Sequence, residues 1–189
     1  SVQLALLAGV AAPALAAPTG GQVRAGSADI STPARGMTVI NQRSQRAAID
    51  WRSFDVARNE TVRFNQPNAK ASALNRIFDQ KPSEIFGQIK SNGEVILLNP
   101  NGVFFKPGAE VRVGSLIAAA MNVGIDDFMN GRYRLEAQPG SDGRVLNQGR
   151  IEAAPGGDVA LLGRTVANEG VIVATAGRVS LLAGEKTTV

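Results

Sequence analysis

The sequence predicts an all-β fold, and within that class a parallel β-helix, from three observations. First, "NQGRIEAAPGGDVALLG" from Asn147 overlays "NEGVIVATAGRVSLLAG" from Asn168, matching Gly149 to Gly170, Ile151 to Ile172, Gly157 to Gly177 and Leu161-Leu162 to Leu181-Leu182. The offset is 21 residues at the start and 20 at the end, so one residue is dropped in a turn. Second, "EVILLNPNGVFFKPGAEVRVG", Glu94 to Gly114, carries alternating apolar residues on both sides of an Asn-Pro-Asn-Gly interruption. Third, the chain from Pro18 to Phe64 consists of short alternating pieces between turn-forming residues, with no sustained helical period.

A repeat of roughly twenty residues with Gly and Asn corners is one coil of a solenoid. One coil cannot bury its Val, Ile and Leu residues alone, but coils stacked about 4.8 Å apart build a continuous apolar column. Asn147 and Asn168, recurring at one corner, are expected to hydrogen-bond through their side-chain amides. Gly149 and Gly170 are expected to supply a positive φ there.

In chain order, "SVQLALLAGVAAPALAAP" has an apolar run from Leu4 to Ala12, then Pro13, then Ala14-Leu15-Ala16. That is the apolar region and cleavage site of a secretory signal peptide, residues 1–17, whose start methionine and basic segment would lie upstream of Ser1. The alternative, a buried or amphipathic helix, fits poorly, because the run is too short to span a membrane and too uniformly small to form a packing stripe. Residues 18–189 form the exported domain.

Met37 with Val39, Ile49 with Trp51, Phe54 with Val56, and Val62 with Phe64 each predict a short strand. In "QPNAKASALNRIFDQKPSEIFGQIKSNG", Ala71, Leu74, Ile77 and Phe78 fit a helical face without deciding helix against strand. Ile85, Gly87 and Ile89 alternate and favour a strand, since Gly87 would cost about 1 kcal/mol inside a helix. Asn99-Pro100-Asn101-Gly102 carries the residue preferences of a type I β-turn, so the chain turns a corner there and continues as the next sheet, with a second corner at Lys106-Pro107-Gly108.

Composition removes several functions. The chain has 189 residues, no cysteine and no histidine, which excludes disulfides, Ser-His-Asp and Cys-His nucleophile systems and the usual zinc sites. A thiol-free chain suits passage through an oxidising periplasm. Lys plus Arg number 20 against 16 Asp plus Glu, a net charge of +4 spread along the sequence, so no nucleic-acid partner is expected.

"NGEVILLNPNGVFF" and "IDWRSFDVARNETVRFNQPNAKASALNRI" resemble the two-partner secretion domain that begins filamentous-haemagglutinin-like exoproteins, in the branch of the high-molecular-weight adhesins and haem-haemopexin-binding exoproteins. The resemblance runs from about Gly36 to Val189. It implies a right-handed parallel β-helix with an amino-terminal β cap and extra-helical strands. It further implies a non-enzymatic role and no cofactor. The resemblance implies, too, that the domain is bound in the periplasm by the POTRA modules of a dedicated outer-membrane β-barrel transporter, and that translocation of a long carboxy-terminal passenger to the surface of a Gram-negative cell then begins. The family's second motif falls on Asn99, Pro100, Asn101 and Gly102. Its first, often Asn-Pro-Asn-Leu, has Asn65, Gln66, Pro67 and Asn68 as nearest equivalent, a departure from the usual form. Either motif acts as a turn that closes the coil, as a surface the transporter touches, or as both.

Other candidates read more blandly. Asp126-Asp127 is either a carboxylate or calcium pair or part of an extra-helical loop or hairpin, and the Gly and Pro residues around it favour the loop. Trp51 and Phe54 are expected in a core or cap. Glu152 with Asp158, or Glu94 with Glu110, would serve a β-helix polysaccharide enzyme, but no spacing selects either pair. An adhesive module binding host glycan or protein is the other alternative, and aromatics at 5% argue against it. "GRVSLLAGEKTTV" stops within a coil without a cap, so further coils are expected beyond it. A capped amino end suggests a monomer.

Overall fold

The structure is a computed structural model that describes residues 17–188. Residues 1–16, where most of the expected signal peptide falls, lie outside the described residues. Two cap strands, β1 (Gln22–Ala25) and β2 (Ala28–Ala34), precede a first coil made of β3 (Met37–Gln42) and β4 (Arg46–Trp51). The second coil runs β5 (Thr61–Asn65), β6 (Ser72–Ile77) and β7 (Ser83–Ile85), and the third β8 (Gln88–Ser91), β9 (Glu94–Leu98) and β10 (Val103–Phe105). The fourth contains β11 (Glu110–Val113) and β12 (Ser115–Ala119), then an excursion with α1 (Ile125–Met129) and β13 (Arg134–Glu136), before β14 (Arg144–Asn147). β15 (Arg150–Ala153), β16 (Val159–Gly163) and β17 (Thr165–Asn168) make the fifth coil. The sixth has β18 (Val171–Ala174) and β19 (Val179–Ala183), followed by β20 (Lys186–Thr188).

Apart from β13 and β20, which pair with each other antiparallel, these strands stack into three sheets along the solenoid axis. The first is β1-β4-β6-β9-β12-β16-β19, the second β7-β10-β14-β17, and the third β2-β3-β5-β8-β11-β15-β18. Coil-to-coil pairs are parallel, whereas β1 on β4 and β2 on β3 are antiparallel. The fold is therefore a parallel β-helix with a β cap on its first coil. The repeat seen in the sequence is the register itself: Asn147 pairs with Asn168, Ile151 with Ile172, Val159 with Val179 and Leu161 with Leu181.

Inside the triangular coil lies one column of side chains that includes Ile49, Val95, Leu97, Val103, Phe105, Val111, Leu116, Ile151 and Leu161. Val23, Ala28 and Ile30 of the cap pack against it. Trp51 and Phe54 close the column near the cap, edge to face at 5.4 Å and almost wholly buried, as a core or cap role requires. The indole N–H of Trp51 donates to Asn75 Oδ1 at 2.9 Å.

A second apolar cluster lies outside the first sheet. Leu74, Ile96, Leu98, Ile117 and Leu162 point away from the column and are covered by Met121, Val123, Phe128 and Leu135 of the excursion. Strands buried on both faces read as continuous apolar runs. This explains "EVILL" and "SLIAA", and it decides the segment left open above: Ser72 to Ile77 is strand β6, with Ala73 and Ile77 facing the column and Leu74 facing the excursion.

Two local expectations are corrected. Phe54 and Val56 do not form a strand; they belong to a link in which Val56 makes one isolated bridge to Ile85. Gly87 is not in a strand either, because it forms the corner between β7 and β8, where an added Cβ would stand 2.1 Å from the Ala57 carbonyl oxygen.

Candidate functional site

The Asn-Pro-Asn-Gly corner joins β9 to β10 and is closed by the Gly102 N–H donating to the Asn99 carbonyl at 2.9 Å, as a β-turn requires. Gly102 has φ +123, and a Cβ there would stand 2.8 Å from the Arg144 carbonyl oxygen. Both facts demand glycine. The Asn99 side chain is fully buried and fully used: its Oδ1 accepts the Asn101 N–H at 3.0 Å, and its Nδ2 donates to the Lys81 carbonyl at 3.0 Å and to Ser83 Oγ at 3.1 Å. Asn101 Nδ2 donates to the Asp79 carbonyl at 2.6 Å. From the other side, Ser141 Oγ donates to the Pro100 carbonyl. Pro100 and Gly102 are buried and Asn101 is half-buried. The corner thus clamps the 79–83 link and the end of the excursion, and beside it opens a cleft of about 380 Å³ edged by Phe78, which is 55% exposed.

The corner at residues 65–68 is built differently. Asn65, Pro67 and Asn68 are exposed while Gln66 is 7% exposed. Asn68 Oδ1 accepts the Lys70 N–H at 2.9 Å, making a local turn, and Asn68 Nδ2 donates to Gln45 Oε1 at 2.9 Å. Asn65 Nδ2 donates to Asn41 Oδ1 at 2.8 Å, and Gln66 Nε2 donates to Gln42 Oε1 at 3.1 Å. The backbone of Gln66 exchanges two 2.8 Å bonds with the side chain of Asn92 in the next coil. Three coils are stitched here through amides. Asn41 and Gln42 escaped the sequence reading, although the dipeptide Asn-Gln at 41–42 and again at 65–66 is a signal that could have revealed them.

At the third candidate corner, Asn147 Nδ2 donates to Asn168 Oδ1 at 2.8 Å, the expected ladder. The expected positive φ at Gly149 and Gly170 is not found; neither belongs to the glycines with left-handed backbone. Their reason is closeness: a Cβ on Gly149 would stand 2.7 Å from the Ala109 carbonyl oxygen, and one on Gly170 would stand 2.2 Å from that of Gly149.

Asp126 and Asp127 lie in the first turn of α1, one helical turn that the sequence reading did not anticipate. Asp127 pairs with Arg132 at 2.9 Å, and among the described residues no group of three or more potential metal-binding side chains is assembled. The carboxylates considered for hydrolysis are each engaged singly: Glu152 with Arg150 at 3.3 Å, Asp158 with Arg178 at 2.9 Å, Glu110 with Arg112 at 3.5 Å, and Glu94 with the Tyr133 hydroxyl at 2.9 Å. Hydrogen bonds from Arg178 hold the Asp158 carboxyl below the usual carboxylate range, and burial, with Glu94 beside it, pushes the Tyr133 hydroxyl up.

Residues 14–189 match the family of TPS secretion domains. The chain is 39% identical over 179 residues to a heme/hemopexin-binding protein of Haemophilus influenzae strain Rd, covering 90% of this chain and 19% of that relative. A second heme/hemopexin-binding protein of Haemophilus influenzae is 38% identical over 110 residues, which cover 58% of this chain and 12% of that one. In structure, the chain is similar to the HMW1 secretion domain from Haemophilus influenzae, with a TM-score of 0.85 and 30% identity over 90% of this chain and 46% of that one.

Proposed function

This chain belongs to the family of TPS secretion domains, and from that membership we propose that the POTRA modules of a dedicated outer-membrane β-barrel transporter bind it in the periplasm and so start its export. In this reading residues 1–17 are the remnant of the signal peptide and residues 18–189 the domain that the transporter receives. The route ends at the surface of a Gram-negative cell or in the medium, with a longer passenger drawn behind. The sequence spans only 19% of the heme/hemopexin-binding protein it matches over 179 residues, which supports a passenger of considerable length.

The observation that carries the reading is the corner at residues 99–102. Its side chains are spent inside the protein, Asn99 entirely and Asn101 on the Asp79 carbonyl. The corner therefore acts by fixing the shape of the surface around it, from Phe78 and Asp79 to Ser141. The transporter reads that shape, to which Pro100 and the half-buried Asn101 contribute as part of the cleft lining.

The test is titration calorimetry of the purified domain against the purified POTRA modules of its transporter. Saturable one-to-one binding is expected. A folded domain that gives no heat and no co-elution contradicts the proposal.

A further inference from the structure

We propose that the outward row Arg63, Lys90 and Arg112 on the third sheet is the docking surface for an acidic segment of the transporter's periplasmic part, an assignment that rests on the function proposed above. Arg63 on β5 stands directly opposite Lys90 on β8, and Lys90 directly opposite Arg112 on β11. Successive strands lie about 4.8 Å apart, so three like charges form a straight file along the solenoid axis. Like charges facing each other across strands destabilise a sheet. The row is thus a feature that folding alone does not favour.

Among the described residues ten of the 20 Lys and Arg side chains form ion pairs, and the row is poorly supplied with them. Arg24 and Arg76 share Asp50, Lys106 meets Glu84, and Arg164 meets Glu185. Among the described residues neither Arg63 nor Lys90 forms an ion pair, and Arg112 has only Glu110 on its own strand at 3.5 Å, both side chains about half exposed. The three cations line one side of an open groove of about 550 Å³ whose other side is the amide-stitched corner of Asn65, Gln66 and Asn92. That wall is rigid, because Gln66 and Asn92 are tied to each other by reciprocal bonds and Asn65 is tied to Asn41. The exposed 65–68 corner and the cationic file therefore form one continuous face.

The length of the file chooses the occupant. Below Arg63 the row meets Val39, and above Arg112 it meets Glu152. A long polyanion such as a sulfated glycan would run onto that carboxylate, whereas a short acidic strand or loop matches three cations and stops. Its carboxylates would take charge-assisted hydrogen bonds from two guanidinium groups and one ammonium group. Because exposed charges act within a Debye length of about 8 Å at physiological salt, the attraction weakens as salt rises.

The experiment compares the wild-type chain with the triple variant Arg63→Gln, Lys90→Gln, Arg112→Gln and with a charge-keeping variant Arg63→Lys, Lys90→Arg, Arg112→Lys. Each is titrated against purified POTRA modules at low and at physiological salt, and against heparin. The glutamine variant is expected to bind the modules about tenfold more weakly or worse and to lose most of the salt dependence, while the charge-keeping variant binds as wild type does. The thermal midpoint of the glutamine variant is expected to hold or to rise, since repulsion is relieved, which separates lost docking from lost folding. Equal binding by the wild type and the glutamine variant overturns the docking surface and leaves the proposed function standing. Loss of heparin binding with unchanged binding to the modules assigns the row to a sulfated glycan and overturns it too. A wild-type chain that fails to bind the modules overturns the parent reading and this one with it.

Discussion

The carbonyl oxygen of Gly114 lies 1.8 Å from the point that a Cβ on Gly157 would occupy, and the Gly157 oxygen stands in the same relation to Gly177 at 1.9 Å. Gly114 in turn would meet the backbone of Gly93 at 2.8 Å, so one corner of the solenoid is a column of glycines through four coils. Backbone stacked on backbone leaves no room for a methyl group. Gly157→Ala is expected to destabilise the domain by about 1–3 kcal/mol through overpacking. Gly184→Ala, where an added Cβ meets nothing within 4 Å, is expected to be neutral or slightly stabilising. Urea midpoints of the two variants check this contrast.

At the Asn-Pro-Asn-Gly corner, the two asparagines are expected to differ. Asn99→Ala removes two donated bonds and one accepted bond at a fully buried site, leaving the Lys81 carbonyl and the Ser83 hydroxyl without their partner, a loss of about 2–3 kcal/mol. Asn101→Ala removes the single bond to the Asp79 carbonyl from a half-buried side chain and is expected to cost about 1 kcal/mol. Denaturant unfolding gives both values. Binding to the transporter should fall in the same order if the corner works through shape.

The excursion is latched to the first sheet by Tyr133, whose hydroxyl donates to Glu94 Oε1 at 2.9 Å and whose ring stacks on Phe128 at 5.9 Å. Phe128→Ala is expected to cost about 3–5 kcal/mol and to uncover Ile96, Leu98 and Ile117, which a rise in dye binding to apolar surface would register. Tyr133→Phe keeps the stacking and loses the hydroxyl's bonds to Glu94 and to Ser72 Oγ, about 1–2 kcal/mol together.

Burial raises the Asp55 carboxyl above its ordinary 3.8, against the pull of the Glu84 N–H it accepts at 2.8 Å. A carboxyl raised on folding contributes stability that is present below its unfolded value and is lost as pH rises through the folded one. Asp55→Asn keeps an accepting oxygen without the charge. The variant is expected to match or exceed the wild type at neutral pH, with the difference closing as pH falls toward 3.8. A clearly less stable asparagine variant at neutral pH would contradict the sign.

Much of the fold was legible because a solenoid writes its register into its sequence. Leu161 and Leu181 align on paper and pair in space, and Asn147 meets Asn168 as the repeat implies. Ser72 to Ile77 was ambiguous because both faces of β6 are buried, which erases the two-residue alternation. Helix α1 was hidden by its five-residue length and by the absence of a side-chain cap at Gly124. The role of Gly149 was misassigned because sequence records a glycine without telling positive φ from close packing. The row of Arg63, Lys90 and Arg112 could not be read at all, since coils of unequal length scatter its members along the chain.

Export of the domain, joined to the rest of its exoprotein, in cells with and without the proposed transporter decides whether the domain is a secretion signal. The protein is expected to reach the cell surface or the medium only when the transporter is present, and to stay in the periplasm otherwise. Equal export in its absence would rule that role out.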